Sequence, residues 1–425
     1  MNSTTEATAA RARSVVLSGE LEGPDSPKIS CLRVRGFRSV VDVTLQPGRL
    51  CALVGEAQTG KSNLLAAIDL LLDRRRAVAP EDLTTLAEIP LSIEATLGSG
   101  ERLQLDASRA ARHVGEPPPV LFLPAAERAG TLVAAEPADA IARRALALLR
   151  EALAEQTGTA ADGSTTLPAA SLVDGLEACC LAGIRGLVLL IEEPELYLRP
   201  QAQRYLYRLL RTFAQGGNQV IYSTHSPSLL NVAHLDELAI VSRDPSGTHV
   251  LQPAPVTPDE DFRLRSEFDA ARSELFLARA ALLVEGQTER LALPFVFAAC
   301  GYDADRENVS IVECGGKANI LLFARVCRAT GIPFVALHDR DRHDQTLNQA
   351  IRRLAGSDRT VVLDPDFEAV VRLHGGSHKP ERAWRRFAAI ERDELPQPLV
   401  EAIELVVSLA RREDNSASPP QQGGA

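Results

Sequence analysis

One glycine-lysine loop and two sets of strand-end carboxylates carry most of the chemistry open to this chain of 425 residues. The segment GEAQTGKS, Gly55 to Ser62, fits G-x-x-x-x-G-K-[ST], follows the apolar run RLCALVG and opens the apolar stretch NLLAAIDLLL. Gly55 and Gly60 let backbone N–H groups turn toward a β-phosphate, Lys61 reaches the β and γ oxygens, and Ser62 ligates magnesium. ATP with Mg2+ is the expected ligand. Downstream, LVLLIEEPELYLRP (187–200) is a buried strand ending in Glu192 and Glu193. Alternation sends the two carboxylates to different sides, so Glu192 can hold magnesium through water while Glu193 polarises the attacking water as the base. NQVIYSTHSP (218–227) closes on Thr224, His225 and Ser226, where His225 can sense a γ-phosphate and couple it to movement.

The second set lies nearer the C-terminus. ALLVEGQTER (281–290) is a strand that ends at Glu285-Gly286 and turns into a helix carrying Glu289, about one turn on and on the same side. The strand IPFVALHD ends in Asp339-Arg340-Asp341. Glu285, Glu289, Asp339 and Asp341 together make an all-oxygen site suited to magnesium or manganese. Between them VECGGKANI (312–320) starts a helix at Gly315-Gly316-Lys317. That start favours a phosphate anion, and Lys317 can equally hold the carboxylates themselves. Lysine occurs only at Lys28, Lys61, Lys317 and Lys379, so three of four fall in motifs.

These residues need strands to present them. Strand-like runs at 49–55, 91–97, 120–125, 186–192, 218–224 and 238–242 alternate with helical patterns and are expected to form one parallel sheet. Runs at 281–286, 308–314, 332–339 and 359–364 form another, making the class α/β. The charged, helix-like stretch 259–279 separates the two series, and helices over about 130–183 interrupt the first.

Composition narrows the setting. Lys+Arg 46 against Asp+Glu 56 leave a net charge of −10, so any DNA contact is local rather than a bulk cationic field. Seven scattered cysteines, never spaced C-x-x-C, argue against a disulfide framework or a structural zinc site. No apolar run is long enough to span a bilayer, and the first residues lack a signal-peptide core. A cytoplasmic location without membrane contact is expected.

The order phosphate loop, EEPELYLRP, STHSP, preceded by LRVRGFRSVVDVTL (32–45), resembles the ABC-type ATPase heads of the RecF and SMC group. That resemblance implies ATP sandwiched between two heads of a homodimer. The signature-loop position is held by PAASLVDGLEA (168–178), where Ser171 and Gly175 depart from the serine-glycine-glycine pattern, which argues against fast turnover. Arg128 in VLFLPAAER is either a phosphate contact or an ordinary surface arginine. The EG strand with its D-x-D resembles the Toprim domain. An ABC-type head followed by Toprim looks like the overcoming-lysogenization-defect (OLD) family of ATP-dependent nucleases, over about residues 30 to 380.

This resemblance implies metal-dependent DNA hydrolysis. Glu285 and Glu289 would bind one ion, and Asp339 and Asp341 would bind or bridge to a second. Lys379 in SHKPERAW stands where a transition-state lysine is expected, and Glu368 is a further ligand candidate or a helix-start carboxylate. Arg382, Arg385, Arg386 and Trp384 share a short helical stretch that either contacts the DNA backbone or packs as a solvated helix. The implied domains are a tail at 1–27, an ATPase domain at 28–258, a linker helix at 259–279, Toprim at 280–376, a helical extension at 377–412 and a tail at 413–425. A helicase or other defence protein is a possible partner by family. The alternative is an ATP-switched DNA-repair scaffold or clamp that does not cut. Primer synthesis is disfavoured, because no zinc-binding cysteine set accompanies the Toprim motifs.

Overall fold

The computed structural model describes residues 28–73, 76–106, 112–114, 116–125, 137–154, 170–254, 272–340, 345–373 and 378–416. The chain divides into two units, Met1–Pro255 and Val256–Ala425, and each has its own apolar core.

The first unit runs β1 (Ile29–Phe37), β2 (Val40–Leu45), β3 (Leu50–Val54), α1 (Lys61–Leu72), β4 (Ser92–Leu97), β5 (Arg102–Asp106), β6 (Arg112–Val114) and β7 (Val120–Leu123). It continues through α2 (Ala140–Ala154), α3 (Ala170–Leu181), β8 (Val188–Glu192), α4 (Pro200–Gln215), β9 (Gln219–Thr224), β10 (Leu238–Asp244) and β11 (Gly247–Leu251). A six-stranded sheet has the order β11-β10-β3-β9-β8-β7. It is parallel except for the edge strand β11. Its central strands β3 and β9 are buried at every position, which is why β3 (LCALV) and the Val220–Tyr222 centre of β9 read as continuous apolar runs rather than alternating ones.

The run 91–97 departs from the expected single sheet. β4 pairs antiparallel with β1 in a second, five-stranded sheet of order β2-β1-β4-β5-β6. The reason is visible in its pattern: Ile93, Ala95 and Leu97 are buried while Glu94 is exposed. This two-residue period suits a strand with one wet face, not a strand covered on both sides. The buried amide of Gln219 fastens the sheets together, accepting from Ile29 N–H at 2.8 Å and donating to the carbonyls of Ile29 and Gly48 at 3.0 and 2.8 Å.

The second unit runs β12 (Ala280–Val284), α5 (Gln287–Ala299), β13 (Val309–Glu313), α6 (Lys317–Thr330), β14 (Phe334–Asp339), α7 (Gln345–Ala355), β15 (Thr360–Leu363), α8 (Phe367–Val370), α9 (Lys379–Phe387) and α10 (Gln397–Ser416). Its four strands are all parallel, in the order β13-β12-β14-β15. Helices α9 and α10 supply Ala383, Phe387, Leu399, Ile403 and Val406 to the same core as β12 and β14. The strands therefore gain one of their apolar covers from residues beyond 377.

The expected tail at 1–27, most of the linker at 259–279, Arg128, the loop 157–166 and Asp341 lie outside the described residues, as do 417–425. Of the linker, Arg272–Leu277 forms a 3-10 helix, and α10 continues through Ser416 into the stretch expected as a tail. None of the seven cysteines is in a disulfide. Among the described residues no helix is long and apolar enough to cross a membrane.

Candidate functional sites

In the first unit the glycine-lysine loop joins β3 to α1, and the ends of β9 and β8 lie beside it in the sheet. Gly60 has φ 109°, and a Cβ there would stand 2.2 Å from the Thr248 hydroxyl. A Cβ on Gly55 would stand 2.0 Å from the Val241 carbonyl oxygen. Neither position tolerates a side chain. The loop is braced from behind: Thr248 Oγ1 donates to Thr59 O at 2.9 Å and lies 2.8 Å from Ser39 Oγ, which accepts from Asn63 Nδ2 at 2.7 Å. Ser39, Asn63 and Thr248 belong to no recognisable motif. They meet only because the β10–β11 hairpin folds over the loop.

Lys61 is buried, and its Nζ donates to the carbonyls of Gly55 and Glu56. Burial pulls its pKa down to about 8, opposed by the negative charges of Glu193, Glu195 and Glu56. The tips of β8 and β9 thus bring Glu193, Glu195 and His225 to the same lysine. Glu193 sits in the left-handed region, φ 45°, a strained conformation of the sort found at working sites. Its Oε1 lies 3.6 Å from His225 Nε2. His225 is held below the usual imidazole range by burial and by Lys61, with Glu193 opposing. Glu192 accepts the Ala125 N–H at 2.9 Å through one carboxylate oxygen, Oε2.

Sequence reasoning missed Glu195. Its Oε1 accepts from His225 N–H at 2.6 Å and from Thr224 Oγ1 at 2.9 Å, so it shapes the turn that carries the histidine. Burial raises its pKa above the usual carboxylate range. The spacing of Glu195 after Glu193 was the available signal, but nothing local says that it bonds to residues 29 and 30 positions away.

Gly175 takes a different role from the one expected. It lies inside α3, and a Cβ there would stand 2.9 Å from the Leu149 Cα of α2. It is a glycine of close helix packing, not of a phosphate-binding loop. Ser171 falls in the first turn of the same helix.

In the second unit, β12 and β14 are parallel neighbours, which puts Glu285 beside Asp339. Glu285 Oε1 accepts the Asp339 N–H at 2.8 Å. Glu289 is buried at the third position of α5, where its carboxylate bonds back to the N–H of Gly286, the helix cap. This half of a capping box turns the side chain toward the strand end. Burial raises its pKa, and the charges of Asp339 and Glu368 raise it further.

Asp339 Oδ1 accepts the Phe367 N–H at 2.8 Å. Its pKa is pushed up to about 7, chiefly by burial and then by the negative charge of Glu285. Carboxylates that are buried and also repel one another suit a hard divalent cation, whose charge would offset the cost of ionising them. Among the described residues no group of three or more His, Cys, Asp or Glu side chains is already arranged as a metal cage.

Lysines complete the surroundings. Lys379 Nζ pairs with Glu368 Oε1 at 2.7 Å, and the charges of Asp366 and Asp339 also act on it. Glu368 therefore stands within the cluster through α8. Lys317 is buried, and its Nζ donates to the backbone carbonyl of Asp339, while Gly316 N–H donates to Glu285 O at 2.7 Å. The glycine pair thus wraps the tip of β12 and lets one lysine clasp the tip of β14.

A family model described as overcoming lysogenization defect protein-like, TOPRIM domain, matches residues 276–341, the stretch that holds Glu285, Glu289 and Asp339. The chain carries an OLD-like Toprim domain. A second family model, described as AAA domain, putative AbiEii toxin, Type IV TA system, matches residues 160–231, which include the tips of β8 and β9. The chain is 35% identical over 289 residues to an OLD nuclease of Thermus scotoductus, covering 58% of this chain and 54% of that protein. It is 32% identical over 161 residues to the Old nuclease of Escherichia phage P2, covering 36% of this chain and 28% of that protein. The chain thus spans about half or less of the curated relatives it matches. A solved C-terminal region of the Xanthomonas campestris pv. campestris OLD protein aligns over 33% of this chain and 98% of that one, at 18% identity and a TM-score of 0.29.

Proposed function

We propose that the chain is an ATP-controlled, metal-dependent DNA endonuclease. What carries the reading is the pairing of Glu285 with Asp339 at adjacent strand tips, with Asp339 pushed up to about 7 by burial and by its neighbour. Glu285, Glu289 and Asp339, with Asp341, are the residues to hold divalent ions, magnesium or manganese. Bound there, such ions supply an activated water and offset charge on the scissile phosphate. The neighbouring cation is Lys379, which can leave Glu368 to neutralise the charge that develops as the phosphorus–oxygen bond breaks. The likeness to OLD nucleases supports the same reading.

ATP is the ligand that suits the first unit, with Gly55, Gly60 and Lys61 around the phosphates and Ser62 and Glu192 for magnesium. Glu193 is the base for hydrolysis and His225 the reporter of the γ-phosphate. DNA is the partner, a homodimer through the ATPase heads is the working assembly, and a reducing cytoplasm suits seven unpaired thiols.

The test is supercoiled plasmid with Mg2+ or Mn2+. Nicking or linearisation by the native chain that vanishes in Asp339→Ala is expected. A chain that binds DNA under ATP control but leaves plasmid intact with either metal would favour the scaffold or clamp instead.

A further inference from the structure

We propose that Trp384 and the cations of α9 form a stacking platform for a single-stranded segment of DNA on its way into the carboxylate cluster. The proposal rests on the nuclease reading for its substrate and on the following geometry for its place. Trp384 is the single tryptophan of the chain and is 49% exposed. Its helix is anchored by the flanking buried residues Ala383 and Phe387, the latter stacked on Phe367 with centroids 6.2 Å apart. The indole itself meets Phe295 of α5 in a T-shaped contact, centroids 6.3 Å apart and planes at 72°. It is therefore held in place while much of its surface stays in water, a costly position for so large an apolar group unless something flat covers it.

The two helices that hold the indole both begin at the carboxylate cluster. Helix α5 carries Glu289 in its first turn and reaches Phe295 six residues later; α9 begins at Lys379, the partner of Glu368, and reaches Trp384 five residues later. At 1.5 Å per residue these offsets are ~9 and ~7.5 Å, no more than two or three nucleotide steps along a strand even at the ~3.4 Å stacked rise of a duplex. A strand passing through the cluster is thus within reach of the indole.

Charge selects the same occupant. From 379 to 386 the helix carries Lys379, Arg382, Arg385 and Arg386 against the single carboxylate Glu381, in a chain of net charge −10. Arg385 is exposed and paired with Glu381 at 2.6 Å, an exchangeable surface contact beside the indole. Cations flanking an exposed aromatic ring are the combination that binds single strands, whose bases have free faces; paired bases in an intact duplex do not offer them.

The lone tryptophan makes the test direct. With the full chain in EDTA, a short single-stranded oligodeoxynucleotide is expected to quench tryptophan emission saturably, and a blunt duplex of the same sequence to quench several-fold less. With a labelled strand, Trp384→Ala is expected to bind roughly tenfold more weakly, and Trp384→Phe within about threefold of the native chain. Both variants should melt as the native protein does. Unchanged emission at saturating single strand, or native affinity in Trp384→Ala, overturns the proposal. So does an emission change that follows protein concentration without DNA, which assigns the surface to a second copy of the chain. Plasmid cleavage is read separately: quenching with an inert plasmid would sink the nuclease reading alone, and cleavage without quenching would sink the platform alone.

Discussion

The Glu285 carboxylate accepts the backbone N–H of Asp339 at 2.8 Å, so the tip of one parallel strand is hydrogen-bonded to the tip of the next by a side chain that also repels it. The bond fixes the spacing, while burial and the Glu285 charge hold the Asp339 carboxyl protonated up to about pH 7. The folded pKa thus exceeds the unfolded value, so the associated stability is full below about pH 4 and is lost as pH rises through about 7. In metal-free buffer the melting temperature of the Toprim unit is expected to fall across that window. Asp339→Asn should flatten the fall, melt a few degrees higher at pH 8 and show no cleavage. Mg2+ or Mn2+ should raise the native melting temperature at pH 8 and leave Asp339→Asn unmoved. Thermal scans at several pH values decide it.

Lys61 has the opposite sign. Burial lowers its folded pKa to about 8, and nucleotide phosphates would raise it again. ATP binding is therefore expected to take up protons near pH 8 to 9, and affinity to fall as pH rises through about 8. Calorimetric titration in buffers of different ionisation enthalpy measures both. Lys61→Ala should abolish binding. Glu193→Gln should bind ATP and hydrolyse it at least ~100-fold more slowly, as expected for loss of a general base; equal turnover in Glu193→Gln and the native chain would refute the base role.

Glu195 provides a third test. Its Oε1 satisfies the His225 N–H and the Thr224 hydroxyl. Glu195→Ala leaves both donors without that acceptor and should destabilise the first unit by about 1–3 kcal/mol, with loss of ATP turnover. Glu195→Gln keeps the acceptor and should restore most of the stability. Equal melting temperatures for the two variants would exclude a positioning role.

A fourth prediction concerns α10. Arg411 grips Glu307 through two bonds of 2.7 and 2.6 Å, and the guanidinium holds the Glu307 carboxyl below its usual range. The folded pKa is depressed, so this contribution is present above the unfolded value of 4.5 and lost as pH falls through the lower folded one. Glu307→Gln should melt slightly below the native chain at pH 7, and the gap should close in acid. A gap that is constant with pH would assign the effect to packing instead.

Some of this was readable from residue order alone. GEAQTGKS between an apolar strand and an apolar helix specifies its own backbone shape, because glycine and lysine positions within eight residues decide which N–H groups turn inward. The apolar runs of β3 and β8, and the shorter Val220–Tyr222 run of β9, announce strands covered on both faces, and the tips at Glu193, His225, Glu285 and Asp339 follow from where the strands stop. The alternation in 91–97 is equally present in the sequence, but a pattern of buried and exposed positions tells how many faces are wet and not which strand lies alongside, and the partner of β4 is β1 of the second sheet.

Contacts between distant segments belonged to the tertiary structure. The chain order alone determined that the protein has a phosphate-binding loop, two sets of acidic strand tips and two α/β sheets to present them. Only folding decided that Thr248 braces the loop, that Glu195 holds His225, that Gly175 is a packing contact and that Lys379 meets Glu368. Local motifs report backbone geometry over a few residues, whereas hydrogen bonding, burial and pKa depend on neighbours brought in from far along the chain, and those neighbours are set by the register and order of strands.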